Sequence, residues 1–137
     1  MAISEENGLS RGMVAVIDDE AGIGDIIQRA LKRTHDVDIY LSGKQIVEAL
    51  EEGAVYDAIL CDLYMPGMSG RQIYDVFVEN WPDQAQKMIF MSGVTKEEAK
   101  EADLKGLDNV MIRKPFQLNE LRQAVDEMVN QSGVDRS

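Results

Sequence analysis

Apolar runs that read as strands alternate five times with stretches of helical spacing along this 137-residue chain. That alternation restricts the possible folds more than any other property of the sequence. The strand-like runs are 13–17, 36–41, 58–63, 87–91 and 109–112. Between them, Ile23, Ile26, Ile27, Ala30 and Leu31 share one helical face. Ile46, Val47 and Leu50 share another, with Ser42 as the cap and Gly53 as the stop. Ile73, Val76 and Phe77 follow a Pro66/Gly67/Gly70 turn capped by Ser69, and Trp81-Pro82 should end that helix. A segment from 95 to about 104 reads as a helix with little to bury. Leu118, Leu121, Val125, Met128 and Val129 line a last one. Strand then helix, repeated, predicts an α/β doubly wound parallel sheet of five strands with five helices.

Three of the strands run into charge. Residues 14–17 lead into Asp18-Asp19-Glu20, residues 58–61 into Asp62, and residues 110–112 into Arg113-Lys114-Pro115. A carboxylate beside an apolar run is costly unless something charged meets it. In a parallel sheet the carboxyl ends of the strands share one edge, and ligands bind there. Asp18, Asp19, Asp62 and Lys114 are therefore expected together. Clustered carboxylates repel, and a hard divalent cation relieves the repulsion. Each residue alone has an ordinary reading as a helix cap or a surface charge; the coincidence of four does not. Pro115 holds Lys114 extended, and the Lys114–Pro115 bond is a candidate for cis. Ser92 ends the fourth strand, where its hydroxyl can serve a phosphoryl oxygen or a simple turn.

Fourteen basic and twenty-five acidic residues give a net charge of −11. A face for nucleic acid or an anionic membrane is not expected on such a chain. The single cysteine, Cys61, excludes an intramolecular disulfide and reads as a buried small hydrophobe. No apolar run reaches membrane-spanning length, and the acidic start is unlike a signal peptide. A cytoplasmic location follows as the expectation. One domain over 13–130 is expected, with tails at 1–12 and 131–137. His35, in Thr34-His35-Asp36, reads as a surface residue in a turn.

These residues together resemble the receiver domain of two-component response regulators. The resemblance is carried by Asp18-Asp19, by Asp62 in Cys-Asp-Leu-Tyr-Met-Pro-Gly-Met-Ser-Gly, by Ser92-Gly93 and by Lys114-Pro115-Phe116, over roughly 13–129. It implies a flavodoxin-like sheet of strand order 2-1-3-4-5. It also implies that Asp62 accepts a phosphoryl group from a sensor histidine kinase or a histidine phosphotransfer protein. Mg²⁺ would be held by Asp19, Asp62 and the carbonyl of Tyr64, with Asp18 acting through water. Ser92 and Lys114 would receive the phosphoryl oxygens. The fourth helix, fifth strand and fifth helix would form the face for an output domain or a second copy. The protein would catalyse its own phosphorylation and slow dephosphorylation, without turning over an external substrate.

Two positions depart from the family's habit. Met111 stands three residues before Lys114, where an aromatic residue is frequent. Tyr64 stands two after Asp62, where small polar residues are common, and its ring is expected to shield an acyl phosphate. Two other readings remain at this point. One is a Mg²⁺-dependent phosphatase with an aspartyl nucleophile, against which Tyr64 in place of a second acid argues. The other is a degenerate receiver that binds proteins without taking phosphate.

Overall fold

A computed structural model describes residues 11–93 and 101–135 of the chain. The strands are β1 (Gly12–Ile17), β2 (His35–Tyr40), β3 (Ala58–Asp62), β4 (Met88–Ser92) and β5 (Met111–Arg113). The helices are α1 (Ala21–Leu31), α2 (Gly43–Glu51), α3 (Gly70–Asn80), the single turn α4 (Pro82–Ala85), α5 (Glu101–Leu104) and α6 (Leu118–Asp135). All strand pairs are parallel, in the order β2-β1-β3-β4-β5. The doubly wound sheet and its order agree with expectation. The parallel, doubly wound arrangement follows from the alternation with right-handed crossovers, and the strand order is the one the family resemblance implies.

The sheet separates two apolar cores. Ala15, Ile17, Ile59, Cys61, Met88 and Phe90 point one way, onto Ile46 and Leu50 of α2 and Ile73 and Phe77 of α3. Val14, Val16, Leu60, Ile89 and Met91 point the other, onto Ile27 and Leu31 of α1 and Leu121, Val125 and Val129 of α6. Successive strand residues face opposite sides, so a central strand covered on both faces must be apolar throughout. β3 and β4 are buried at every position.

Several sequence expectations are corrected. Ile26 is 48% exposed and Leu118 is 37% exposed, so neither belongs to the core. β1 opens at Gly12, inside the expected tail, because a strand residue without a side chain fits beneath Val129; an added Cβ would lie 2.7 Å from it. Arg11 is anchored too, donating to the carbonyls of Lys32, Arg33 and His35 and pairing with Asp36. α6 continues to Asp135, past the boundary expected at 130. α4 forms where Pro82 opens a turn; Gln84 then exchanges two hydrogen bonds with the backbone of Tyr56. Residues 1–10, 94–100 and 136–137 lie outside the described residues, as does the first part of the helix expected from 95.

His35 is the largest correction. It opens β2 with 1% exposure. Nδ1 accepts from the Gly12 N–H at 3.0 Å, leaving Nε2 to donate to Asp126 at 2.8 Å. The imidazole thus ties β1 and β2 to α6. A polar tripeptide looks like a turn in sequence; its partner lies 91 residues away.

Candidate functional site

The register of the sheet assembles the site. Ile17 pairs with Cys61, so the next residues, Asp18 and Asp62, leave adjacent strands together. Asp62 pairs with Met91, and Ser92 with Arg113, which brings Ser92 and Lys114 to the same edge. The Lys114 N–H donates to the Ser92 carbonyl at 2.7 Å and fixes that relation. The Lys114–Pro115 peptide is cis.

Asp18, Asp62 and Ser92 are buried, whereas Asp19 is exposed. One carboxylate oxygen each from Asp18, Asp19 and Asp62 lies within 4.8 Å of the others. Lys114 bridges two of them: its Nζ is 2.8 Å from Asp18 Oδ2 and 3.3 Å from Asp62 Oδ2. Asp18 Oδ1 accepts from the Glu20 N–H at 2.9 Å, and Asp62 Oδ1 from the Tyr64 N–H at 3.4 Å. Each buried carboxylate therefore has one oxygen on the ammonium and one on a backbone amide.

The electrostatics follow from this packing. Burial raises the Asp62 carboxyl above the usual carboxylate range; Lys114 opposes the rise and the charge of Asp18 adds to it. Burial works to lower the Lys114 ammonium, but its hydrogen bond to Asp18 and the charges of Asp62 and Asp18 outweigh that and raise it. Burial and the two neighbouring carboxylates also push the Cys61 thiol well above its ordinary range. Cys61 is accordingly a core residue and not a nucleophile.

Gly70 sets how closely α3 approaches. A Cβ there would lie 2.5 Å from the Asp62 carbonyl and 2.8 Å from Leu63 Cα. Ser69 and Gln72 form a reciprocal capping box at the start of α3. Gly67, at φ 79°, makes the turn between β3 and α3. Tyr64 stands in this loop with 36% exposure, and its hydroxyl donates to Asp103 of α5 at 3.0 Å. Met111, like Leu104 and Leu107, is half-buried against the α2–α3 core. An apolar surface cavity lined by Ile23, Ile26, Pro115, Phe116 and Leu118 opens next to Lys114.

The structure thus brings Asp18, Asp19, Asp62, Ser92 and Lys114 to one edge, with the Tyr64 main chain beside Asp62. The sequence reading missed Asp103 and Arg71, which meet the Tyr64 loop and α5 only through the fold. It also missed the backbone amide of Glu20, which satisfies Asp18.

Residues 14–126 match the sequence model described as the response regulator receiver domain. The transcriptional regulatory protein QseB of Escherichia coli O157:H7 is 32% identical over 128 residues, covering 90% of this chain and 56% of that protein. The hydrogenase transcriptional regulatory protein HoxA of Bradyrhizobium diazoefficiens is 32% identical over 120 residues, covering 87% of this chain and 24% of that protein. The chain therefore spans little more than half of one relative and about a quarter of the other. Among solved structures, the Francisella response regulator 1452 receiver domain superposes with a TM-score of 0.75 at 23% identity, covering 89% of this chain and 99% of that one. A response regulator receiver protein from Sinorhizobium medicae superposes with a TM-score of 0.73 at 25% identity, covering 88% and 95%. The chain belongs to the family of response regulator receiver domains.

Proposed function

We propose that this receiver takes a phosphoryl group on Asp62 from a phosphohistidine, in a Mg²⁺-dependent reaction, and that the acyl phosphate changes partner binding. The observation that carries the reading is the convergence of three carboxylates with Lys114 bridging Asp18 and Asp62. An Asp62 oxygen attacks phosphorus, the P–N bond breaks as the O–P bond forms with its electron pair going to nitrogen, and the donor ring, protonated on its other nitrogen, leaves as neutral imidazole. Lys114 transfers its pairing from the carboxylates to the new phosphoryl oxygens, and the Ser92 hydroxyl donates to another. In such a transfer the protein mainly positions groups and neutralises charge.

The donor set fits the ion. Mg²⁺ takes hard oxygen ligands at about 2.1 Å, so opposite ligand oxygens stand about 4.2 Å apart. The three carboxylate oxygens lie within 4.8 Å of one another, slightly wider than that, so a bound ion would draw them inward. Asp19, Asp62 and the Tyr64 carbonyl would be direct ligands, with Asp18 acting through water. When bound, the ion supplies positive charge against the incoming phosphoryl oxygens.

The donor in this reading is a sensor histidine kinase or a histidine phosphotransfer protein, in the cytoplasm. The apolar cavity beside Lys114 offers such a protein a contact next to the acceptor. An output domain or a second copy would use the α5–β5–α6 face. In this reading the receiver is a switch rather than a turnover enzyme. No described helix is long and apolar enough to cross a membrane.

Intact mass after incubation with Mg²⁺ and acetyl phosphate tests the chemistry. One phosphoryl adduct is expected on the wild type and none on Asp62→Asn. No adduct on the wild type would overturn the reading in favour of a phosphate-independent binding module. Repeated turnover of a phosphoester would point to the phosphatase instead.

A further inference from the structure

Asp62 and α5 are joined by one side chain. The Tyr64 N–H donates to Asp62 Oδ1 across 3.4 Å, and the hydroxyl of the same residue donates to Asp103 Oδ2 at 3.0 Å. The first bond is long and weak; the second goes to a carboxylate and belongs to the stronger class. A rigid ring separates the two, so a shift of the Tyr64 main chain is passed to α5.

Arg71 holds the other end of that segment. Its guanidinium donates to the carbonyl of Lys105 at 2.5 Å and more distantly to that of Asp103, at 3.5 Å. It is itself braced on α3 by Asp75 and the ring of Tyr74. Beyond Lys105 the chain turns at Gly106, with φ 71°. The described part of α5 runs from Glu101 to Leu104; Tyr64 meets it at Asp103, and Arg71 holds the chain at Lys105 just beyond it. Arg71 is fixed to the scaffold, whereas Tyr64 rides on the loop next to the acceptor. The arrangement is a hinge at Arg71 and a latch at Tyr64.

We propose that the Tyr64–Asp103 hydrogen bond is the latch that couples the state of Asp62 to α5, closed before phosphorylation and released by it. The inference rests on Asp62 being the phosphoryl acceptor. Placing a phosphoryl group on an Asp62 oxygen converts a carboxylate with two amide and ammonium partners into a larger anion. The Tyr64 main chain then reorganises around it, and the hydroxyl leaves Asp103. Met111, half-buried against an apolar cluster, carries no hydroxyl or charged group with which to make such a link. Asp103 is a positioning residue, acting on Asp62 only through Tyr64.

Hydrogen exchange of the amides of 103–107 tests this, on wild type, Tyr64→Phe, Asp103→Ala and Asp103→Asn, with and without Mg²⁺ and acetyl phosphate. Without the phosphodonor, Tyr64→Phe and Asp103→Ala should exchange roughly tenfold faster in this segment than the wild type. Asp103→Asn keeps an acceptor oxygen and should match the wild type. With the phosphodonor, the wild type and Asp103→Asn should rise to the level of the two latch-less variants, which should not rise further. Equal rises in wild type and Tyr64→Phe, with the adduct present in both, overturn the latch. Absence of an adduct on the wild type is a separate failure, of the acceptor assignment. The difference between wild type and Tyr64→Phe without phosphodonor reads the hydrogen bond independently of it, and no difference there also overturns the latch.

Discussion

Lys114 serves two carboxylates at once, and its removal shows what each needs. Asp18 has no exposed side-chain surface and Asp62 very little, so neither can be solvated in place of the ammonium. Breaking a buried ion pair from one side costs more than the pair itself contributes, because a charge is left uncompensated. Lys114→Ala should therefore lower unfolding free energy by roughly 3 kcal/mol, measured by urea denaturation without divalent cation. Saturating Mg²⁺ should restore part of the loss. Asp62→Asn should act in the opposite direction. Burial holds the Asp62 carboxyl above its usual range, which means that the folded site disfavours the carboxylate. A neutral isostere should raise the urea midpoint while abolishing phosphorylation. An acceptor that destabilises its own fold is what a group retained for chemistry looks like.

At the scale of elements, the distance between β3 and α3 governs the site. Gly70 allows α3 to start against the Asp62 carbonyl, and any side chain there collides with backbone that cannot move aside. Gly70→Ala should cost about 2 kcal/mol and weaken Mg²⁺ binding, read by urea denaturation and by calorimetric titration. The opposite end of β3 carries a polar network of a different kind. The Tyr56 hydroxyl donates to Asp38 at 2.7 Å and meets the hydroxyl of Tyr40. Burial, with the hydrogen bonds to Tyr40 and Asp38 adding to it, raises Tyr56 far above its ordinary value of 10.0. The unfolded chain then loses this proton before the folded chain does. The contribution is intact below pH 10 and is lost as pH rises above it, at about 1.4 kcal/mol per pH unit. Urea denaturation from pH 9 to 11 should show that slope, and Tyr56→Phe should reduce it. The helices also mark how far pattern carries. The apolar spacing located α1, α2, α3 and α6, because each buries one stripe. It misassigned Ile26 and Leu118, since both line an open groove with Ile23, Pro115 and Phe116 rather than a packed face.

For the whole molecule, the acidic edge sets the balance between apo and liganded forms. A ligand bound only by the native state stabilises it by mass action. Mg²⁺ at 100 times its dissociation constant should add about 2.7 kcal/mol to unfolding free energy. Asp19→Asn should weaken that response with little effect on the metal-free protein, because Asp19 is exposed and has no burial to relieve. Denaturation at fixed Mg²⁺ concentrations checks both.

The sequence by itself determined the α/β class, the order of elements and which residues stand at strand ends. Those properties depend on local periodicity and on the rule that parallel strands present their carboxyl ends to one side. It likewise determined that Asp18, Asp62 and Lys114 would meet, since a charge at the end of a buried strand must find a partner there. Only the tertiary structure decided that Lys114 divides itself between Asp18 and Asp62, that His35 is buried between Gly12 and Asp126, and that Tyr64 reaches Asp103. Each of these depends on distances between residues far apart in the chain. The choice of partner there is made by packing geometry, on which the local pattern of either segment carries no information.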